Sequence, residues 1–440
     1  MSKRARLLLC CYHCFIDPSS GAAISLRDLF TWLEHLSWDC RVLCGPQLDF
    51  EEPTLPATAL QSAGLVVTTT RCDPGPCPFD VLSLHRENVP IRIYQPTHLS
   101  TSPSPEEVYP FLALLERMLE RWRPDVLLTY GGTWIGRAII ACAKRVGVKV
   151  VFWLRNCAYQ QSRFFDPVDA IIVPCEFSRN FYRRTLGIEC TAIPSPVNAS
   201  RVKCDAIERV YATFINPQPA KGVFLFARIV EQMQLLRPDV PFLVVEGRAK
   251  SDWFAFAGLD QNRLKNIRVM RNTTDPREFY CLSRVVLMPS LWEQTFARVP
   301  VEAFINGIPV LGTRRGGLSE NLARAGFLFD VPKEFTPSTR SLPPIEEVES
   351  WIRTIIRLWD EPDFYLSESR RCLVASEDFT EHCLAPRYDT LFRSVAFRSP
   401  PPSNAGEDIL NIVKDYINAS VAPSCDNLTP ERLDGLLGCF

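Results

Sequence analysis

Short, almost wholly apolar runs alternate along this chain with longer segments whose apolar residues recur every three or four positions. The runs Leu7–Tyr12, Asp125–Tyr130, Lys149–Leu154, Asp169–Pro174, Val210–Ile215, Phe242–Val245, Val285–Met288 and Ile308–Leu311 are four to six residues long. Apolar character sustained over that length predicts strands buried on both faces, as in a parallel sheet. Between them lie helical patterns. Ala22–Leu36 places Ile24, Leu29, Phe30, Leu33 and Leu36 on one stripe, and Pro105–Arg123, Trp134–Val146 and Glu176–Leu186 read likewise. Strand patterns at Gly64–Thr69 and Val89–Tyr94 flank a segment containing Pro, Ser and Gly that reads as surface loop. The alternation predicts an open, doubly wound sheet that ends near Pro196, and Ser195–Arg209 reads as a linker. A second α/β series starts at Val210 and stops after Phe327–Phe329, and residues Ile345–Phe397 read as helices. Beyond Arg398 a Pro-Ser segment introduces a short amphipathic helix, Ile409–Ile417. The expected division is 1–197, 210–385 and a C-terminal helix and tail, 386–440.

One stretch, Pro289–Glu320, is punctuated most sharply. Pro289 and Ser290 stop a buried strand, and Pro300 lies in the first turn of a helix, where its missing N–H is harmless. Gly307 stands where the helix end needs left-handed backbone, and Ile-Pro-Val-Leu follows at once. Such a strand-turn-helix-strand unit aims helix-start N–H groups at the carboxyl edge of a parallel sheet, where phosphate-bearing ligands sit. Arg298 and Glu302 lie one turn apart and share a face.

Composition narrows the class. With 440 residues, 46% of them hydrophobic, the chain can bury two large cores. Its formal net charge of −1 gives no electrostatic footprint for nucleic acid. The 17 cysteines are scattered through apolar runs such as LLLCC and AIIACA and read as small buried hydrophobes. The cluster Cys10-Cys11-Tyr12-His13-Cys14 lacks a second ligand pair at zinc spacing, so no metal site is expected. The N-terminal apolar run is too short for a signal peptide, and no run approaches the roughly 20 residues of a membrane span. A cytoplasmic protein is expected, with at most peripheral membrane contact through the basic helix end ERMLERWRP. The loop FIDPSSGAA after the first strand brings Gly21 and Ala22 to a helix start, a place for phosphate or acceptor. It carries no GxGxxG, which disfavours a nicotinamide oxidoreductase.

At this point the residues become specific. The segments SRVVLMPSLWE, VEAFINGIPVLGT and GGLSE resemble, without gaps, the donor-binding segment of the retaining glycosyltransferase family 4, a "glycosyl transferases group 1" domain. The Lys221-Gly222 step, DAIIVPCEFSRNFY and PSPVN are similar to further landmarks of that family, so the resemblance runs from about Arg6 to Phe397. It implies an α/β fold of the GT-B type: two Rossmann-like doubly wound parallel-sheet domains facing across a cleft, with a helical C-terminal segment.

The resemblance also implies roles. Glu302 matches the second Glu of the family's Glu-x7-Glu pair, which grips the donor ribose. Gln294 matches the first, which faces the sugar hydroxyls, and here an amide replaces the carboxylate. Lys221 matches the cation that neutralises the departing nucleoside diphosphate. The family's Arg one turn earlier is replaced by Ile215-Asn216-Pro217, which leaves Asn216 to bind phosphate and Arg248 to supply charge. Arg155 stands where many members carry a His facing sugar and acceptor. Backbone N–H groups of Phe296, Ala297, Arg298 and Val299 would meet the diphosphate or sugar, and Glu320 closes the Gly-Gly-x-x-Glu turn on the donor. Partners implied are a nucleotide-sugar donor and a carbohydrate or lipid-linked acceptor, with no nucleic acid and no metal or other cofactor. The departures at Gln294, Ile215–Pro217 and Arg155 also admit a catalytically silent nucleotide-sugar-binding or scaffold protein.

Overall fold

The computed structural model describes residues 4–49, 54–72, 78–205, 208–247, 249–257, 266–397, 409 and 411–414. Two sheets organise them. The first holds β1 (Arg6–His13), β2 (Asp39–Gln47), β3 (Thr68–Cys72), β4 (Phe79–Arg86), β5 (Val89–Pro96), β6 (Val126–Thr129), β7 (Lys149–Trp153), β8 (Ala170–Val173) and β9 (Thr191–Ala192). Their spatial order is β3-β4-β5-β2-β1-β6-β7-β8-β9. All pairs are parallel except β3 with β4 and β4 with β5. The second sheet holds β10 (Tyr211–Ile215), β11 (Phe242–Val245), β12 (Ile267–Met270), β13 (Ser283–Met288), β14 (Val310–Thr313) and β15 (Phe327–Phe329). It is wholly parallel, in the order β12-β11-β10-β13-β14-β15.

Both sheets are buried on two faces, which is why their strands read as unbroken apolar runs. Along β1, Leu8, Cys10 and Tyr12 enter one core with the helices Pro105–Trp122 and Trp134–Arg145, while Leu7, Leu9 and Cys11 enter another with Gly21–His35. In the second sheet, Ala212 and Phe214 pack under the helices Val223–Leu236 and Glu349–Asp360, while Val286 and Met288 pack under Arg298–Ile305 and Pro362–Ser376. The described cysteines are free thiols, most of them buried.

Two expectations fail, the first being the strand read at Gly64–Thr69, which runs from Thr68 to Cys72 instead. The segment read as surface loop between the strands near residues 64 and 94 contains β4, whose Phe79, Val81, Leu82 and Leu84 are buried. Its hairpin turn runs through Glu87 at φ 55°, so no Gly announces it. The basic helix end buries Met118, Leu119 and Trp122 in the first core, with Arg41 stacked 4.5 Å above the Trp122 ring, so its apolar side faces inward. No described helix is long and apolar enough to cross a membrane.

Along its parallel strands each sheet reverses its order once, at β1 in the first and at β10 in the second. Ligands of open α/β sheets bind beyond the carboxyl ends of strands at such switch points. The loops after β1 and β10 are therefore where the site is to be built.

Candidate active site between the two sheets

The β10 loop begins with Asn216 at φ 61° and ends in a short turn, Pro219–Lys221, followed by Gly222 at φ 83°. A Cβ on Gly222 would lie 1.7 Å from Pro289 O, so only glycine lets this loop touch the end of β13. That contact brings Lys221 to Gln294, with Nζ donating to Oε1 at 2.8 Å. Gln294 is buried. Because an ammonium only donates, the amide oxygen must face Lys221 and the NH2 group points the other way. That nitrogen has no partner among the described residues.

The glycine turn clamps this loop from above. Gly317 N donates to Gln294 O at 2.6 Å, and a Cβ on Gly317 would lie 2.2 Å from Thr295 O. Thr295 Oγ1 then donates to Arg155 O across the cleft. Arg155 lies just past β7 with its guanidinium 4.6 Å over the Trp153 ring. Burial pushes its pKa down to about 10. Arg155 Nη2 reaches Gly21 O at 3.5 Å, whereas Nη1 is buried without a partner among the described residues. Gly21 opens the helix Gly21–His35, and Ser20 gives it no side-chain cap. The first N–H groups of that helix are thus available to an anion.

Glu302 occupies the helix Arg298–Ile305, largely buried. Its Oε1 takes Arg298 Nε at 3.0 Å and its Oε2 takes the Tyr280 hydroxyl at 2.9 Å. Any further donor at this carboxylate shares it with both. Burial first, then the facing carboxylate, raises the Tyr280 pKa, so the phenol stays protonated and donates. For Arg298 burial works to lower the pKa, but Glu302 and Asp28 outweigh it and raise it.

Other expected residues are placed differently. Ala297 N donates to Asn321 Oδ1 at 3.2 Å, so this N–H is spent within the protein. The side chain of Phe296 packs beside Phe379 against Val197 and Val301. The helix proper starts at Arg298, and Val299 is partly buried against the second core. Asn216 spends its side-chain oxygen on Ala249 N at 3.2 Å, bracing the turn after β11. Glu320 caps the first-domain helix Glu176–Leu186, accepting from Glu176 N at 2.8 Å and from Phe177 N. It ties the two domains together. Ala22 is partly buried in the first turn of its helix, beside Gly21. Arg248 lies outside the described residues.

Sequence reasoning missed Ser25, Asp28, Tyr280 and Thr295. A signal for the first two existed: a polar pair one turn apart on a helix whose other residues, Leu26, Leu29 and Phe30, are core. Such a pair needs a charged partner from elsewhere.

His13, Asp17 and Asp49 bring three potential metal ligands within 4.8 Å of one another. Asp17 is fully buried and already accepts Ser19 N and Oγ, each at 2.7 Å, and Asp49 N at 2.6 Å. Burial raises its pKa, but His13 and these donors outweigh that and hold it below the usual carboxylate range. The carboxylate is a staple of the β1 loop, with its lone pairs in use.

Two family profiles match the chain, Glycosyltransferase Family 4 over residues 19–201 and Glycosyl transferases group 1 over residues 210–342. Between them they take in most of both sheets, and the chain belongs to the family 4 glycosyltransferases of the GT-B fold. A lipopolysaccharide 1,2-N-acetylglucosaminetransferase of Salmonella typhimurium is 28% identical over 174 residues, which cover 34% of this chain and 45% of that protein. The match thus spans less than half the length of that relative. The crystal structure of TarM superposes with a TM-score of 0.64 at 11% identity, covering 89% of this chain and 99% of that one. HepE of Anabaena, in complex with UDP and glucose, gives a TM-score of 0.62 at 14% identity, covering 88% and 99%.

Proposed function

We propose that this chain is a retaining glycosyltransferase that moves a sugar from a nucleoside-diphosphate sugar to a hydroxyl of a carbohydrate or lipid-linked acceptor. One observation carries the reading. Two buried N–H donors, Arg155 Nη1 from the first domain and Gln294 Nε2 from the second, have no partner among the described residues; Gln294 is the residue that Lys221 donates to, and its neighbour Thr295 donates to Arg155 O. A buried donor left unpaired costs about 1–3 kcal/mol, and an oxygen of a bound donor sugar or diphosphate would relieve that cost at each of these two residues.

In this reading Lys221 balances the charge that grows on the departing diphosphate, and the open start of the helix at Gly21 adds N–H dipoles. Gln294 donates to a sugar hydroxyl, and Glu302 receives the ribose beside Tyr280. An amide at position 294 is no nucleophile. Retained configuration then follows from attack by the acceptor on the face the diphosphate leaves, with the leaving phosphate oxygen taking the acceptor proton. Lys221 supplies the positive charge at the diphosphate, so the reading assigns no step to a metal ion. The named relatives, a lipopolysaccharide N-acetylglucosaminetransferase and a protein bound to UDP and glucose, support a uridine nucleotide and a glycan acceptor.

The test is a thermal-shift panel of UDP, GDP and ADP with their common sugars, followed by turnover with the stabilising donor. Lys221→Ala is expected to lower turnover about 10²–10³-fold while leaving the unfolding temperature near wild type. EDTA is expected to leave turnover unchanged. Near wild-type turnover in Lys221→Ala and Glu302→Ala together would remove the site assignment. Tight nucleotide binding with neither transfer nor hydrolysis would make the protein a silent binder.

A further inference from the structure

The arginine beside Glu302 reaches out of its own domain. Arg298 is largely buried, with side-chain exposure of 11%, and four of its contacts are well formed. Nε meets Glu302 Oε1 at 3.0 Å. Nη1 donates to Ser25 Oγ and to Pro196 O, both at 2.8 Å, and Nη2 meets Asp28 Oδ2 at 3.1 Å. Ser25 and Asp28 belong to the first-domain helix Gly21–His35, and Pro196 to the crossover between the domains. Asp28 is itself buried, and it also receives Asn198 N at 3.2 Å and lies 3.4 Å from Arg201. A Cβ on Gly21 would be 3.7 Å from Arg298 Cδ, so the arginine passes directly beneath the uncapped helix start.

A buried ion pair adds little net stability over apolar packing, but a guanidinium fork held by four acceptors fixes direction. Only one relative placement of the two domains satisfies it. The fork also shares an oxygen of Glu302, the carboxylate to which the reading above gives the ribose. We propose that Arg298 and Asp28 are positioning residues that couple domain closure to the nucleotide. In the closed arrangement Asp28 orients Arg298, Arg298 orients Glu302, and Glu302 is then set for the ribose hydroxyls. By linkage, a nucleotide that favours the oriented Glu302 favours closure to the same extent. This rests on the reading of the cleft as a nucleotide-sugar site.

The test uses the full chain and two probes. A nucleoside diphosphate, the one that stabilises the wild-type protein in the panel, carries a ribose. Inorganic pyrophosphate lacks it and reports Lys221 and the helix start alone. Asp28→Asn is expected to weaken the nucleoside diphosphate about 5- to 50-fold and to weaken pyrophosphate, which meets both domains but not Glu302, by a clearly smaller factor. Small-angle scattering is expected to show Asp28→Asn more open than wild type without ligand and equally compact with saturating nucleoside diphosphate. Should Asp28→Asn not fold, Arg298→Lys, which keeps the charge and loses the fork, is read in the same way. Equal weakening of both probes would reduce the pair to a structural role and overturn the proposal, as would unchanged nucleoside diphosphate affinity. A wild-type protein that binds no nucleoside diphosphate would instead overturn the transferase reading, and the coupling with it.

Discussion

Gly222 shows how narrowly one residue can position a functional neighbour. It has positive φ, it follows Lys221, and any side chain on it would run into Pro289 O, a backbone atom that cannot swing aside. Gly222→Ala must move either the Pro219–Lys221 turn or the end of β13, and both carry groups of the candidate site. The expected cost is about 2–4 kcal/mol, from left-handed strain plus a backbone clash. Urea unfolding measures it, and nucleotide affinity is expected to fall with it because Lys221 leaves Gln294. A cost below 1 kcal/mol would show that the loop relaxes freely. At this scale the sequence was informative where a residue's chemistry is local. The glycine after the helix at 307 was legible because its φ belongs to a single position, whereas the Lys-Gly step was legible through the family resemblance. The Glu302 partner of Arg298, one turn away, was legible locally as well, but the cross-domain partners of Arg298 and Glu320 were not. Each reaches a residue more than a hundred positions away, and no local pattern encodes that distance.

Among the elements, the parallel strands were legible because burial on both faces leaves a continuous apolar run. β4 was not, because it pairs antiparallel at the sheet margin and interleaves polar Asp80, Ser83 and His85 with its core residues. The helices Gly21–His35 and Glu381–Ala396 meet through a contact that pH can probe. His35 Nδ1 and Glu381 Oε1 lie 2.6 Å apart at the surface, and the hydrogen bond to Glu381 raises the His35 pKa. A raised folded-state value means the pair stabilises fully below the ordinary histidine value of about 6.5 and is lost as pH climbs through the raised one. Both side chains are exposed, so the effect stays within about 1 kcal/mol. The unfolding temperature of His35→Gln is expected to fall below wild type near pH 5.5 (about one unit under the free value) and to match it near pH 8.5. A gap that persisted at the higher pH would mean that the ring packs rather than pairs.

On the scale of the whole molecule, the chain crosses between domains twice, and the second crossing binds the C-terminus to the first sheet. The helix Glu381–Ala396 follows the second domain in sequence, yet Tyr388, Phe392 and Val395 are buried with Trp38, Trp153 and Ile193 of the first. Polar contacts fix its register: Tyr388 donates to Pro194 O at 2.9 Å, Arg387 to Ala192 O at 2.7 Å, and Trp38 to Asp389 at 2.7 Å. The described tail residues Ile412 and Val413 are buried in the first domain's other core. Residues 1–197 alone would thus expose an apolar face that the helix covers, and the sequence did not reveal this because an amphipathic helix does not name the sheet it covers. Phe392→Ala is expected to cost about 3–5 kcal/mol, the range for a buried aromatic left as a cavity. The loss is expected in the first domain rather than in the domain that precedes it in sequence. With two domains, a single unfolding midpoint is ambiguous, so hydrogen exchange read by peptide is the measurement. Faster exchange in β1, β7 and Gly21–His35, with β10, β13 and β14 unchanged, is the expected pattern. Exchange rising equally in both sheets would mean that the helix holds the domains together as one cooperative unit, and the closure argued for Asp28 and Arg298 would then have no independent hinge to act on.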